Sequence, residues 1–235
     1  MGKIKAVLFD KDGTLIDFQK TWFAVGDAMA LAAANGDRAE ADRLLEQGGY
    51  DFTAARFKPD SVFAAGTNAE IVALWYPELS DAEQAERAKA YDAFTAVEGA
   101  KRAVPLPGLE AAIRALHARG LRLGVATNDS EEGARLTLEA LGLSPFFDAA
   151  YGYDSVPNPK PAPDPLYAFA KVVGCEPQEI AMVGDNNHDL VMAKAGGAGL
   201  AVGVLSGTGT REILSPLADV ILDSVAELPD LLAKA

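Results

Sequence analysis

A short apolar stretch that ends in two carboxylates and a glycine is the feature that most constrains this chain. Residues 6–9 read Ala-Val-Leu-Phe, and Asp10, Asp12 and Gly13 follow directly. An apolar run without polar alternation is typical of a strand covered on both faces of a parallel sheet. Because ligands of open α/β sheets bind beyond the carboxyl ends of such strands, we expect both acids at a binding site. A hard divalent cation would offset the repulsion between them.

Taken alone, this short motif also fits a strand followed by a solvated turn whose acids cap nearby amides. The rest of the chain decides between the two interpretations. After each of three later predicted strands the sequence carries another polar cluster, and these clusters are Thr127-Asn128, Lys160 in a proline-rich loop, and Asp185 followed by Asp189. The carboxyl ends of parallel strands meet at one edge of a sheet, so all four clusters are predicted to gather there.

Composition excludes some classes of partner. The 235 residues carry a net charge of −13, and no stretch concentrates enough Lys and Arg to follow a nucleic-acid backbone. A small anionic substrate would need local positive charge, which a bound cation and a lysine could supply. The single Cys175 is predicted to be structural, and neither a signal peptide nor an apolar stretch of membrane-spanning length is visible, so we expect a cytoplasmic protein without a membrane partner. The sequence does not indicate an oligomeric state.

The chain divides into two parts by its periodicity. Residues 17–100 are rich in Ala, Leu, Glu and Arg at helical spacing and predict four helices with no convincing strand. Such an insert is too long for one crossover, so we expect a separate helical cap domain over 17–100. Residues 1–16 and 101–235 alternate strands with helices, which predicts a doubly wound, Rossmann-like parallel sheet. Asp129 and Glu132 are predicted to cap the helix that Gly142 ends.

The four clusters, in this order and each after a predicted strand, closely resemble the signature motifs of the haloacid dehalogenase-like (HAD) hydrolase superfamily. The resemblance covers the alternating core and includes the placement of a helical cap between the first and second motifs. Within the superfamily it is nearest to small-molecule phosphatases of the phosphoglycolate phosphatase type, through the linker at 105–108 and the loop at 206–211. One departure is Pro159, which stands where the family usually has Gly before the motif lysine.

The resemblance implies a Mg²⁺-dependent phosphatase that acts on a small phosphorylated metabolite. Asp10 would be the nucleophile that forms an aspartyl phosphate, and Asp12 would protonate the leaving alkoxide and later take a proton from water. Asp12 would stay protonated in the enzyme–substrate complex because the neighbouring Asp10 carboxylate raises its pKa. The metal would be held by the side chains of Asp10 and Asp185 and by the main-chain carbonyl of Asp12.

The remaining motif residues receive supporting roles from the same resemblance. Thr127 and Asn128 would hold phosphoryl oxygens near a helix start. Lys160 would neutralise Asp10 and the transferring phosphoryl group. Asp189 would orient the surroundings of Asp185 or Lys160, although a first-turn acid favoured by the helix dipole is an equally good interpretation.

Substrate specificity is predicted to depend on the cap. Arg56 and Lys58, in a loop-like stretch between Gly48 and Ser61, are the cap cations best placed by sequence to meet a second anionic group of the substrate. His117 and His188 are interpreted as structural because neither has a partner at metal-ligand spacing. The Gly-rich loop at 206–211 lacks a Walker lysine and is interpreted as a plain turn.

Three other activities fit parts of the pattern. A phosphomutase would use the same four motifs and pass the phosphoryl group to a sugar, so only product analysis would separate it from a phosphatase. A dehalogenase is disfavoured because Asp12 would have no leaving alkoxide to protonate. A phospho-accepting signalling domain also surrounds a Mg²⁺ site with Asp, Thr and Lys, but its acceptor lies mid-chain and it has no helical insert.

Overall fold

The core is a six-stranded sheet in which all strands run parallel. The structure is a computed structural model and describes residues 4–59 and 61–233. The strands of this sheet are β1 (Ala6–Phe9), β4 (Arg122–Ala126), β5 (Ala149–Tyr151), β6 (Ile180–Gly184), β7 (Leu200–Val204) and β8 (Val220–Leu222), in the spatial order β5-β4-β1-β6-β7-β8. The predicted α/β doubly wound sheet is confirmed.

The alternation of side chains along β1 explains why its sequence is apolar throughout. Val7 and Phe9 lie in one core cluster, and Ala6 and Leu8 lie in another. All four side chains are fully buried. Helices therefore cover both faces of the central strand, as an unbroken apolar run predicts.

Six helices surround the sheet, and their placement follows the two core clusters. They are α6 (Leu109–Ala118), α7 (Glu131–Ala140), α8 (Asp164–Val173), α9 (Asn187–Gly196), α10 (Arg211–Leu214) and α11 (Leu228–Ala233). Helices α6, α7 and α11 contribute apolar side chains to the cluster with Val7, whereas α8, α9 and α10 contribute to the cluster with Leu8. The last helix is preceded by a 3₁₀ turn, Val225–Glu227.

The strand order places β1 at a topological switch point of the sheet. From β1 the chain continues to β4 and β5 on one side, and then crosses to β6, β7 and β8 on the other. The crevice at such a point is the usual ligand site of a doubly wound sheet. Asp10 directly follows β1, and its amide donates to the carbonyl of Val183 on β6, so the first motif is held between the two halves of the sheet.

A helical cap is inserted between β1 and β4. Its helices are α1 (Phe18–Ala33), α2 (Arg38–Gln47), α3 (Val62–Ala65), α4 (Asn68–Trp75) and α5 (Asp81–Arg102). The cap has its own apolar cluster, with Val25, Leu45, Phe57 and Trp75 among its buried members. Within the described ranges, no helix combines the length and apolar character needed to cross a membrane.

Two local predictions are wrong. The cap contains an antiparallel hairpin, β2 (Tyr50–Asp51) with β3 (Arg56–Phe57), where the sequence predicted no strand. Helix α7 is capped by Ser130, whose hydroxyl accepts a hydrogen bond from the amide of Gly133, and not by Asp129. The hairpin forms because Tyr50 and Phe57 are paired across it and their rings contact each other, a cross-strand packing that supports strands too short to show a period.

Candidate active site

Lys160 joins two of the predicted motifs by direct ion pairs. Its Nζ donates to Oδ1 of Asp10 and to Oδ1 of Asp189, each at 2.7 Å. All three side chains are almost completely buried. Burial alone would lower the pKa of the Lys160 ammonium, but the attraction of Asp10 and Asp189 outweighs it and holds that pKa above its ordinary value. Lys160 is therefore a fixed cation at the end of β1.

Asp189 contacts Lys160 and also lies in the first turn of α9, the two arrangements that the sequence left open. Its Oδ1 accepts from Lys160, and its Oδ2 accepts from the amide of Asn186 at 3.0 Å. The second contact belongs to a capping box at the start of α9, in which the Asn186 side chain caps the same turn. The first turn of this helix and the position of Lys160 therefore depend on one carboxylate.

Asp185 is held by the loop that the sequence predicted to be a plain turn. Its Oδ2 accepts from the amide and from the hydroxyl of Thr208, at 2.7 and 3.2 Å. A Cβ at Gly207 would overlap the Asp185 carboxylate, so only glycine permits this approach. Thr208 and Gly207 thus position Asp185, and the interpretation of this loop as a plain turn missed them. Their place after β7, at the same edge of the sheet as the motifs, was the available signal.

Three buried carboxylates form a cluster that fits a divalent cation. Oxygens of Asp10, Asp185 and Asp189 lie within 4.8 Å of one another. Oδ2 of Asp10 is buried and has no hydrogen-bond partner. Burial, together with the neighbouring carboxylates, raises the pKa of both Asp10 and Asp185. One lysine offsets only one of the three negative charges, and a hard cation that prefers oxygen ligands would balance the other two.

Asp12 is held from two sides by residues that the sequence did not single out. Lys11 contacts both of its oxygens, at 3.0 Å from Oδ1 and 2.8 Å from Oδ2. The indole Nε1 of Trp22, on the first cap helix, donates to Oδ1. Thr127 Oγ1 lies 3.5 Å from Oδ2, which is long for a hydrogen bond. The orientation of Asp12 is thus set by its sequence neighbour and by the cap.

The second partner of Lys11 is Asp129, at 3.0 Å. The Lys11 side chain is 1% exposed, and its ammonium lies 5.1 Å from the centroid of the Trp22 ring, within reach of a cation–π interaction. Burial alone would lower the pKa of Lys11, but the charges of Asp12 and Asp129 raise it above its ordinary value. Burial and the neighbouring charge of Asp12 hold the pKa of Asp129 above its ordinary value, although Lys11 lowers it. Asp129 is therefore part of the site and not a helix cap.

The second motif also connects the core with the cap. Asn128 Nδ2 donates to the carbonyl of Ala65 at the end of α3 and to the carbonyl of Lys160, at 2.8 and 3.1 Å. Thr127 is buried, and its hydroxyl accepts from the amide of Asp129 at 3.1 Å. The predicted residues Thr127 and Asn128 thus lie beside Asp12 and Lys160, although their contact with a phosphate stays a prediction.

A cavity between the core and the cap is lined by the predicted motif residues but not by the two predicted cap cations. Core residues Asp10, Asp12, Thr127, Asn128, Lys160, Asp185 and Asp189 line it. Arg56 and Lys58 do not line it, and both are exposed at the hairpin. Arg56 precedes the buried Phe57 in β3, and neighbours along a strand face opposite sides, which explains why Arg56 is exposed. The cap contributes apolar and small residues to the cavity instead, together with Thr67 and Asn68.

Known proteins resemble this chain over nearly its full length. The profile of haloacid dehalogenase-like hydrolases matches residues 4–197. The phosphoglycolate phosphatase of Rhodospirillum rubrum is 34% identical over 233 residues, covering 96% of this chain and 90% of that protein. The phosphoglycolate phosphatase of Escherichia coli strain K12 is 31% identical over 233 residues, covering 96% and 91%. A solved structure of a putative haloacid dehalogenase-like hydrolase from Bacteroides fragilis matches with a TM-score of 0.75 at 21% identity, covering 96% of this chain and 100% of that chain.

Proposed function

This chain belongs to the haloacid dehalogenase-like hydrolase family and is a phosphatase, and we propose that it hydrolyses a small phosphate monoester with Mg²⁺ through an aspartyl phosphate. One observation carries the proposal: Lys160 lies 2.7 Å from both Asp10 and Asp189, beside Asp185. Loops distant in the chain thus assemble a nucleophile, a fixed cation and oxygen ligands for a metal. The relatives are named phosphoglycolate phosphatases, so phosphoglycolate is the first ester to assay.

The first half of the reaction uses the free oxygen of Asp10. Oδ1 is occupied by Lys160, whereas Oδ2 has no partner and is the oxygen available to form a new bond. Oδ2 attacks phosphorus, the bond between phosphorus and the alcohol oxygen breaks, and Asp12 gives a proton to that oxygen. Lys160 offsets negative charge as the carboxylate and the phosphoryl group approach each other.

The second half returns the enzyme to its starting state. Water attacks phosphorus, Asp12 takes the proton from that water, and the bond between phosphorus and Oδ2 of Asp10 breaks to release inorganic phosphate. Mg²⁺ bound to the side chains of Asp10 and Asp185 and to the Asp12 carbonyl would offset the charge of the carboxylates and the phosphate. Thr127 and Asn128 would bind the phosphoryl oxygens, and the cap, taken as residues 17–100, would exclude bulk water.

An Asp10→Asn variant tests the proposal, because it keeps the shape of the side chain and removes its nucleophilic charge. We expect loss of Mg²⁺-dependent phosphate release from esters that the parent protein hydrolyses, with an unchanged circular dichroism spectrum. The matched control is Asp42→Asn, which changes an exposed acid of the cap. In the parent, mass spectrometry of acid-quenched samples should find phosphate on the peptide that contains residue 10. Full activity of Asp10→Asn would refute the mechanism, and transfer of the phosphoryl group to a sugar without release would favour a phosphomutase.

A further inference from the structure

The wall that the cap presents to the cavity is mostly apolar. Phe18, Trp22, Met29, Phe63 and Ile71 line it, together with the small residues 64–66 and the polar residues Thr67 and Asn68. No Lys or Arg from the described cap residues lines it. The part of the substrate that extends from the phosphorus toward the cap therefore meets a mostly apolar surface without a lysine or arginine of the described cap.

Four backbone donors of this wall, the amides of residues 64–67, are already used within the cap. The amides of Ala64 and Ala65 both donate to the carbonyl of Ser61, and the amide of Gly66 donates to the carbonyl of Val62, all at 2.9 Å. The amide of Thr67 donates to the Glu70 carboxylate at 2.7 Å. An anionic group of a substrate would have to break one of these bonds to gain a backbone donor.

The side-chain donors of the wall are used as well. Asn68 Nδ2 donates to Asp92 and to Thr95, both at 2.9 Å, and Trp22 Nε1 donates to Asp12. The start of α4 has a capping box in which a Glu70 carboxylate already occupies the N-terminal turn. That carboxylate complements the helix dipole and repels a second anion.

The core side of the cavity is rich in negative charge. Five aspartates line it, namely Asp10, Asp12, Asp129, Asp185 and Asp189. Asn186 and His188 line it as well. Lys160 is the one lysine of the described lining, and it is paired with two of the aspartates. A divalent cation at the carboxylate cluster would be occupied by the transferring phosphoryl group. A carboxylate or second phosphate on the substrate would thus be desolvated beside several acids and without an unpaired lysine or arginine, which is costly.

We propose that the alcohol part of the substrate is uncharged and partly apolar, so that phosphoglycolate and bisphosphates are poor substrates of this enzyme. This inference rests on the proposed function, because it concerns the leaving group of the same reaction. It assigns specificity to the apolar wall of Phe18, Met29, Phe63 and Ile71 and to the absence of an unpaired lysine or arginine among the described residues that line the cavity. Arg56 and Lys58 have no part in it.

A pair of esters of similar size tests the inference on the unmodified protein. Glycerol 2-phosphate and 2-phosphoglycerate differ in one position, where the first has a hydroxymethyl group and the second a carboxylate. Phosphate release should be followed with Mg²⁺ at about pH 8, where imidazole groups are ordinarily neutral. We expect kcat/KM for the neutral ester to exceed that for the carboxylate ester by at least about tenfold. Ethyl phosphate against phosphoglycolate should give the same order.

A cation introduced into the wall should reverse part of this preference. Ala64 is half-buried, lines the cavity and lies on the short helix α3. Ala64→Lys should raise relative kcat/KM for the carboxylate ester, whereas Ala64→Met, which adds similar length without charge, should not. Arg56→Ala should leave the ratio of the two esters unchanged.

The outcomes separate this inference from the function on which it rests. Mg²⁺-dependent hydrolysis with a preference for the neutral ester supports both. Hydrolysis that favours 2-phosphoglycerate or phosphoglycolate overturns the inference and leaves the proposed phosphatase intact. Absence of Mg²⁺-dependent release from every small ester overturns the proposed function and the inference together.

Discussion

Replacement of Lys11 by methionine would remove the charge that joins Asp12 to Asp129 and keep most of the side-chain volume. The ammonium contacts Asp12 at 2.8 Å and Asp129 at 3.0 Å, and the lysine side chain is 1% exposed. The variant leaves two carboxylates facing an uncharged side chain. We expect Lys11→Met to fold but to be clearly less stable than the parent.

The magnitude follows from the burial of the pair. Removal of one partner of a buried ion pair typically costs about 3–5 kcal/mol, because the remaining charge is left without compensation. For a chain of this size each kcal/mol changes Tm by roughly 2–4 °C, so we expect a loss on the order of 10 °C. In the double variant Lys11→Met/Asp129→Asn, one of the stranded charges is removed as well. Part of the loss should then be recovered.

Thermal unfolding followed by circular dichroism measures this effect. The matched control is Lys5→Met, since Lys5 pairs with Glu179 at the surface and its side chain is 53% exposed. That substitution should change Tm little because exposed ion pairs are screened by solvent. Equal stability of Lys11→Met and Lys5→Met would refute the assignment of a coupled buried pair. The assignment would also be refuted if Asp129→Asn destabilised the Lys11→Met variant as much as it destabilises the parent.

The same variant should change catalysis in a way that depends on the leaving group. Lys11 and Trp22 orient the Asp12 carboxyl, which is proposed to protonate the leaving oxygen. An alkoxide needs that proton, whereas a nitrophenolate leaves without it. We therefore expect Lys11→Met to lose more kcat with alkyl phosphates than with p-nitrophenyl phosphate. Equal losses with both substrates would show that Lys11 contributes to stability and not to the position of Asp12.

Two further substitutions test other parts of the molecule. Gly207→Ala would place a Cβ against the Asp185 carboxylate, so we expect the Mg²⁺ concentration for half-maximal activity to rise about tenfold. In the control Gly142→Ala the added Cβ would meet no atom within 4 Å, although the φ of +68° strains the backbone, so this variant should lose some stability and leave that Mg²⁺ concentration unchanged. Asp148 is bound by Arg122, which lowers its pKa; this contribution to stability is present above the ordinary pKa of Asp and is lost as pH falls. The difference in unfolding free energy between the parent and Asp148→Asn should therefore shrink from about pH 6 to about pH 3, and a difference that grows toward acid would contradict the assignment.

The sheet could be predicted from the sequence because most of its strands are short apolar runs bounded by turn residues. Strands β1, β6 and β7 are such runs and are fully buried, whereas β5 and β8 at the two edges of the sheet are half-buried. The cap hairpin was missed because each of its strands has two residues, too few to show a period. Its stability comes from ring contacts across the pair, which only the folded chain brings together.

The motif residues could be predicted because the carboxyl ends of parallel strands must meet, and Asp10, Lys160 and Asp189 do meet. The partners of Lys11 could not be predicted in this way. Lys11 and Asp129 come together only through the register of β1 and β4, in which Phe9 lies opposite Val125. Sequence alone gave Asp129 the commoner role of a helix cap, and Ser130 beside it was the better candidate for that role.

Two hydrogen bonds connect the cap with the core loops of the site. Trp22 donates from α1 to Asp12, and Ala65 at the end of α3 accepts from Asn128. Both bonds cross from the cap to the two core loops that carry the proposed acid–base and phosphate-binding side chains. If the cap moved away, Asp12 would lose a donor and Asn128 an acceptor at the same time. The alignment of the proposed acid–base group is thus tied to the position of the cap, and the apolar wall that is proposed to select the leaving group belongs to the same domain.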